Sequence, residues 1–590
     1  MAGPGTSRHS APHRQRRVRG PLLGCFFRLP APGKGSIKGH RLAENTGESK
    51  VSKKTEEIKE QIEKLEEVYD TDFEIGDQNI NPLGLDLHNP VFVTSALLIL
   101  VFVIGSLLFP DVSNDALTAT RVWIGETFDW LFLSAGSIFV LFCLLLIVLP
   151  VGRIRLGGQD AKPDFSVMSW FSMLFAAGMG IGLMFWSVAE PVGYFTEWFG
   201  TPLNIEGGTE EAKRAALGAT MYHWGLHPWA IYAVVGLSLA FFTYNMGLPL
   251  TIRSAFYPIL GERVWGPFGH VIDTVAVLAT MFGLATSLGL GAQQAASGLE
   301  FLFGIDSGLN TQVAIIIGVT IVALLSVMRG IHGGVRVLSN INLTFAAILL
   351  LFVMIAGGLI AFLVNAGTTL SAYAQYMLPL SNPLGREDET FYHGWTVFFW
   401  AWWISWSPFV GMFIARVSRG RTVRQFVTAV LLVPTLVTVV WMSAFGGGGL
   451  NQAMGGVGAL ADGISDSSLA LFQMLQNLPL TAITSFLAIA LVLIFFITSS
   501  DSGSLVIDSI TSGGKTDAPQ SQRLFWATFE GVVAGVLLAV GGAAALQALQ
   551  AGAVSTGLPF LLVLLAMCVS LAKGLYHELA LLRLSEAQAK

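Results

Sequence analysis

The run Ala176-Ala-Gly178-Met179-Gly180-Ile-Gly182 decides the fold, because three glycines alternate within an apolar stretch otherwise long enough to cross a membrane. Glycine in a helix interior costs about 1 kcal/mol and proline about 3 kcal/mol. Such a run therefore marks a place where backbone N–H and C=O groups leave the helix ladder. At membrane depth, freed backbone is tolerated only where it lines a cavity or meets a ligand. A second run, Ser405-Trp-Ser407-Pro408-Phe-Val-Gly411, has the same character. Taken alone, either is explained as readily by small residues packing helix against helix.

The positions of the two runs separate these readings. Of 590 residues, 53% are hydrophobic and 12% charged, and apolar runs of roughly 20 residues, enough to span about 30 Å of hydrocarbon, recur along the chain. This composition describes an all-α polytopic membrane protein. About twelve spans are expected, near residues 90–109, 130–151, 166–187, 217–245, 267–300, 311–328, 341–365, 391–414, 424–446, 480–499, 523–546 and 555–578. The two breaker runs fall in the third and eighth, each opening a block of five spans. Discontinuous helices at corresponding places in two halves point to a secondary transporter with inverted repeats, here five plus five and preceded by two extra helices. The expected organisation is an N-terminal extension over 1–80, two peripheral helices within 85–165, repeats over 166–365 and 390–578, and a short tail over 579–590.

Charge sets the orientation. With a cytoplasmic N-terminus, the inside loops carry Arg153, Arg155, Arg253, Arg263, Arg416, Arg419, Arg421 and Arg424, whereas the opposite loops are acidic at Glu210, Glu211, Glu387 and Glu389. Both termini are expected in the cytoplasm of a bacterial-type inner membrane. The formal charge of −5 implies no nucleic-acid partner, and Cys25, Cys143 and Cys568 form no disulfide framework or metal spacing. Residues 1–41 are basic, and a short amphipathic helix is expected from Lys53 to Tyr69. Because helix chemistry begins near Val51, residues 1–50 are expected to be a misassigned start. No triad, metal cluster or nucleotide loop points to an enzyme.

Four tryptophans, Trp400, Trp402, Trp403 and Trp406, crowd seven residues of the eighth span. Membrane helices usually keep tryptophan at the headgroup level. Inside a span, the cluster reads as an aromatic cage for a quaternary ammonium or sulfonium cation. His223 and His227 stand at helical i, i+4 spacing, and with no third ligand they read as helix-end or packing residues rather than a zinc site.

Three motifs carry a resemblance: Gly178-Met-Gly-Ile-Gly182 with Met184-Phe185 and Glu190-Pro191; His223-Trp224-Gly-Leu-His227-Pro-Trp229-Ala-Ile-Tyr232; and Trp400-Ala-Trp-Trp-Ile-Ser-Trp-Ser-Pro-Phe-Val-Gly-Met-Phe413-Ile-Ala-Arg416. From about residue 85 to 578 the chain resembles the betaine/choline/carnitine transporter family, closest in motif to its sodium-coupled glycine betaine symporters. The resemblance implies a LeuT-like fold and a prism of aromatic faces from Trp224, Trp229, Tyr232 and Trp403, with Trp406 as a further contact. A substrate carboxylate would meet backbone N–H groups near Gly178, Gly180 and Gly182, and Ser287. Trp402 stands about 100° from Trp403 on a helix, so with Phe185, Phe409 and Phe413 it is expected along the pathway or gate.

The resemblance further implies a sodium site from the side chains of Thr498 and Ser499 and the carbonyls of Phe495, Ala176 and Met179, five oxygens without a formal charge. Read without it, Thr498 and Ser499 are better explained as interhelical hydrogen-bonding residues. A second family sodium site would use Thr280, but its other threonine position is Leu284, so the sodium stoichiometry stays open. Proton-coupled choline carriers of the family tend to have Asp where Gly182 stands, which favours a zwitterion such as glycine betaine or dimethylsulfoniopropionate over choline. Arg329-Gly-Ile-His-Gly-Gly-Val-Arg336 resembles the family's connecting helix, expected near 330–340 and associated with a homotrimer. The expectation is a symporter of a zwitterionic osmolyte with sodium as coupling ion and no other cofactor. Its rivals are a proton-coupled choline carrier, a precursor/product antiporter and a membrane osmosensor that binds methylammonium ligands without moving them. The short tail predicts little tail-based osmotic activation.

Overall fold

The computed structural model describes residues 47–178, 180–329, 335–515 and 517–588. Residues 1–57 and 58–590 form two units. The basic segment 1–41 lies outside the described residues, and within the first unit residues 47–57 are the opening turns of α1 (Gly47–Glu66). This helix starts somewhat earlier than its amphipathic pattern suggested, and Glu67–Tyr69 follow as a 3₁₀ turn.

The second unit is a bundle of helices. Its only sheet among the described residues pairs two-residue strands, β1 (Asn79–Ile80) and β2 (Leu87–His88). The first spans are α2 (Asn89–Leu108) and α3 (Pro110–Val148), followed by the short pair α4 (Val167–Gly178) and α5 (Ile181–Phe195). Next come α6 (Glu210–Trp224), α7 (Leu226–Tyr244), the single turn α8 (Tyr257–Leu260) and the long α9 (Pro267–Phe303). The middle of the chain forms α10 (Leu309–Arg329), α11 (Val335–Ala356), α12 (Leu359–Ser381) and the short α13 (Glu389–Phe391). The last part forms α14 (Val397–Val417), α15 (Val423–Met454), α16 (Ala470–Gln476), α17 (Thr481–Thr511), α18 (Gln520–Gly541) and α19 (Ala545–Gln588). Among the described residues, ten helical stretches are long and apolar enough to cross a membrane. The last two expected spans merge in one of these, Gln520–Gln588. The third is absent from the ten because its halves are each too short. All twelve expected windows fall on helix.

The third span breaks where its glycines stand, between Gly178 and Ile181. The eighth, by contrast, is not broken at Ser405-Trp-Ser-Pro, and α14 runs through Pro408 without interruption. Proline lacks the N–H that would bond the carbonyl four residues back, here that of Ile404. The Ser407 hydroxyl donates to that carbonyl at 2.7 Å and makes up the missing bond. Of the two matched runs, only that of the third span breaks its helix. A further break, not among the expected ones, lies in the fourth span, where Gly225 (φ −97, ψ −129) separates α6 from α7.

Two further boundaries differ from expectation. Of the connecting-helix motif near 330–340, residues 330–334 lie outside the described residues, and α11 begins at Val335. A separate helix follows instead, because Gly358 adopts φ 95 and starts α12. It buries Asn365, Thr369, Tyr373 and Tyr376 against the bundle while Ile360, Leu363 and Val364 face outward. That polar-in, apolar-out arrangement defeats a simple hydropathy reading. At the centre, α14 packs against α7, α9 and α19, and α5 against α6 and α15. Gly411 permits the first of these contacts, since a Cβ there would come within 2.6 Å of Val235.

Candidate functional site

Where α5, the α6–α7 break, α14 and α15 converge, Gly180, Gly182, Leu183, Trp224, Pro228, Trp229, Tyr232, Trp402, Trp403, Trp406 and Thr438 line a cleft. Its rings stand as walls at steep angles to one another. Trp224 meets Trp403 at 4.7 Å between centroids and 71°, Trp229 meets Tyr232 at 5.3 Å and 80°, and Tyr232 meets Trp403 at 6.4 Å and 80°. Trp402 stacks on Trp403 at 4.7 Å and 15°. None of the described lining residues carries a charge.

The break at Gly225 builds this geometry. It puts Trp224 at the end of one helix and Trp229 and Tyr232 on the first turns of the next, so the three rings need not obey the spacing of a single helix. The backbone N–H of Leu226, freed by the break, donates to the Tyr373 hydroxyl at 2.8 Å. A Cβ on residue 225 would lie 2.6 Å from both the Tyr373 hydroxyl oxygen and the Met221 carbonyl. On the other side of the cleft, a Cβ on residue 182 would stand 2.8 Å from the Cη2 atoms of both Trp224 and Trp402. Glycine at 182 is thus what lets two indole edges meet the broken helix.

Four indole N–H groups are anchored away from the ring faces. Trp224 Nε1 donates to Glu190 Oε2 at 2.7 Å, Trp403 Nε1 to the His223 carbonyl at 2.9 Å, and Trp406 Nε1 to the Gly283 carbonyl at 3.1 Å. Trp402 Nε1 donates to the Ser287 hydroxyl at 3.1 Å. With the N–H groups engaged in the walls, the π faces are what the cleft offers. A cluster of aromatic faces suits a cation that itself has no N–H, such as a methylated ammonium or sulfonium.

Residues 90–580 match the sequence pattern of BCCT, the betaine/carnitine/choline family transporter. The chain belongs to that family. It is a membrane transporter, not an enzyme. It is 62% identical over 513 residues to glycine betaine transporter 1 of Vibrio parahaemolyticus serotype O3:K6, covering 86% of this chain and 97% of the relative. A glycine betaine/proline/choline/ectoine transporter of the same organism is 58% identical over 518 residues, covering 87% and 92%. A probable glycine betaine transporter of Desulfitobacterium hafniense is 39% identical over 498 residues, covering 84% and 99%. Among solved structures, a manganese transporter of Eremococcus coleocola overlaps 70% of this chain and 81% of its own at 15% identity. Its TM-score of 0.39 is too low to bear on the fold.

Not every residue that the family resemblance assigned joins the cleft. Trp224, Trp229, Tyr232, Trp403, Trp406, Gly180 and Gly182 line it together. Trp402, expected along the pathway, stands in the cleft wall instead. Backbone steps of 100° separate residues 402 and 403, yet their large rings swing into one stack. Ser287 lies behind that wall, its hydroxyl accepting from Trp402 and donating to the Gly283 carbonyl at 3.2 Å. Phe185 is buried beside Trp186, with 4.9 Å between ring centroids. Phe409 meets Trp406 edge-on at 5.4 Å, and Phe413 is partly buried. Trp400 is fully buried and stacks on His227 at 5.3 Å, so it is core.

The residues assigned to sodium by the family resemblance are only partly described. Met179 lies outside the described residues, and Ala176 belongs to the last turn of α4. On α17, the Thr498 hydroxyl donates to the carbonyls of Ile494 and Phe495 at 3.0 and 3.2 Å, and Ser499 is buried. Thr280 donates to the Ala276 carbonyl at 2.7 Å. Leu284 is fully buried against Gly503, where a Cβ would meet its Cδ1 at 2.3 Å. The residues that sequence reasoning missed are Leu183, Pro228 and Thr438 in the lining, and Gly225 and Tyr373 at the break. The signal for the break was present in Gly225-Leu-His-Pro228, a glycine and a proline three residues apart.

Proposed function

We propose that this transporter imports a zwitterionic quaternary ammonium or sulfonium osmolyte, glycine betaine first, together with sodium across a bacterial-type inner membrane. The observation that carries the reading is the uncharged cleft walled by Trp224, Trp229, Tyr232, Trp402 and Trp403. Each ring face contributes about 0.5–2 kcal/mol toward a cation, which is part of the roughly 8 kcal/mol that a micromolar site needs. A substrate carboxylate supplies a further part through backbone N–H groups at the α4–α5 break. The names of the relatives support glycine betaine and extend the range to choline, proline and ectoine.

Sodium as the coupling ion is supported by the hydroxyl and carbonyl oxygens of Phe495, Thr498 and Ser499 on α17, with Ala176 and Met179 as the remaining donors. Leu284 argues for one sodium rather than two. The broken third span and the family membership support a five-plus-five inverted repeat, cytoplasmic termini and a homotrimer. Inward movement of one sodium gains about 2.3 kcal/mol at 100 mV from the membrane potential alone. Accumulation of labelled betaine in proteoliposomes, driven by an imposed sodium gradient, tests the reading. Uptake that persists unchanged after sodium is replaced contradicts the coupling, and binding without accumulation contradicts transport in favour of a sensor.

A further inference from the structure

Glu190 lies on α5 about two turns beyond Gly182 and is completely buried. Its Oε2 accepts from Trp224 Nε1 at 2.7 Å, and its Oε1 is 2.6 Å from His223 Nδ1. The Tyr194 hydroxyl, one turn further along α5, lies 3.5 Å from the same His223 Nδ1. His223 is also fully buried, and its Nε2 lies 3.0 Å from the Thr396 hydroxyl. With Nδ1–H facing Glu190, that Nε2 is left to accept from Thr396. The carbonyl of the same histidine takes the Trp403 N–H at 2.9 Å. Glu190 and His223 thus hold both tryptophans of the central ring pair by their N–H groups.

An unpaired charge buried at membrane depth is costly, so a carboxylate kept here calls for a purpose beyond filling space. Two donors converge on it, the His223 ring and the Trp224 indole, and hydrogen bonds to a carboxylate are the stronger kind. One of them is the indole whose face meets the cleft. A hydrogen bond from an indole N–H to a carboxyl oxygen shifts electron density toward the ring and makes its face more negative, as linked hydrogen bonds polarise one another. That effect strengthens attraction for a cation and does nothing for an uncharged group of the same shape.

We propose that Glu190 is a specificity-determining positioning residue: through Trp224 it makes the cage read positive charge, and not merely the outline of three methyl groups. The inference rests on the transport reading above. It is tested by competing labelled betaine uptake with unlabelled betaine and with tert-butylacetate, which has the same shape with carbon in place of the ammonium nitrogen. Wild-type protein is expected to prefer betaine strongly, and Glu190→Gln to narrow that preference about tenfold, equivalent to about 1.4 kcal/mol. A residue that only supports the fold would weaken both competitors alike, and an unaltered ratio overturns the proposal. Trp224→Phe removes the N–H that couples Glu190 to the cleft, so adding Glu190→Gln to it is expected to leave the ratio where Trp224→Phe put it. A further narrowing contradicts the route through Trp224. Should Glu190→Gln not fold, equilibrium competition on purified Trp224→Phe still decides, since a wild-type ratio there also overturns the proposal. Absence of betaine uptake by the wild type sinks both readings, whereas sodium-driven uptake with an unaltered ratio sinks only the role of Glu190.

Discussion

In the third span α5 starts at Ile181 after the extended Gly180 (φ −159, ψ −177), apart from α4, which ends at Gly178, whereas around Pro408 the helix of the eighth runs from Val397 to Val417 without a gap. Proline is the stronger helix breaker by about 2 kcal/mol, so propensity alone predicts the opposite. The difference lies in what stands beside each breaker. Ser407 supplies the donor that Pro408 withdraws from the Ile404 carbonyl. The glycines of the third span have no side chains with which to replace a lost bond, and Gly182 carries the edges of Trp224 and Trp402 where a Cβ would be. A breaker residue opens a membrane helix only when its neighbours leave the lost bond unmade, and the site forms where they do.

The largest effect that sharpens this comparison is expected at Gly182. Gly182→Ala drives a methyl group into two indoles held by Glu190 and Ser287, and overpacking of this kind costs about 1–3 kcal/mol. Betaine uptake, normalised to the amount of protein in the membrane, is expected to fall roughly ten- to hundredfold. Wild-type uptake in this variant would show that the close approach of the rings is dispensable.

Tyr373 offers a smaller test at the third breaker, Gly225. Tyr373→Phe leaves the partly buried N–H of Leu226 without its protein acceptor, a loss of about 1 kcal/mol. A lower thermal midpoint in detergent is expected, together with weaker betaine binding, because Trp224 and Trp229 diverge from this turn. An unchanged midpoint would mean that water serves the break as well as Tyr373 does.

The smallest effect concerns the continuous span. Ser407→Ala is expected to lower stability by about 1 kcal/mol by orphaning the Ile404 carbonyl, and Pro408→Ala in the same background is expected to restore it by returning the N–H. Additive losses in the double variant would refute the repair of the helix by Ser407.

The positions of the helices were legible in the sequence because hydrocarbon thickness fixes span length. The ring set was legible too, since Trp224, Trp229, Tyr232, Trp403 and Trp406 line one cleft as their motifs implied. Four things were not. The hydroxyl repair at Ser407 depends on a rotamer, which no propensity records. The break at Gly225 was concealed by reading His223 and His227 as one helical face, although Tyr222 and Trp400 in fact pack on His227 while His223 turns to Glu190. Trp402 was placed by backbone angle, and a side chain as long as an indole reaches well beyond its own face of the helix. The separate helix α12 escaped because it turns its polar residues inward.

The most direct test of the central claim is equilibrium binding of labelled glycine betaine to the purified protein, wild type against Trp403→Leu. Removing the face that stands against Trp224 and Tyr232 is expected to weaken binding about tenfold or more, with the protein still folded by its thermal transition. Unchanged affinity in a folded Trp403→Leu protein would contradict the claim that this aromatic cleft is where the substrate cation is held.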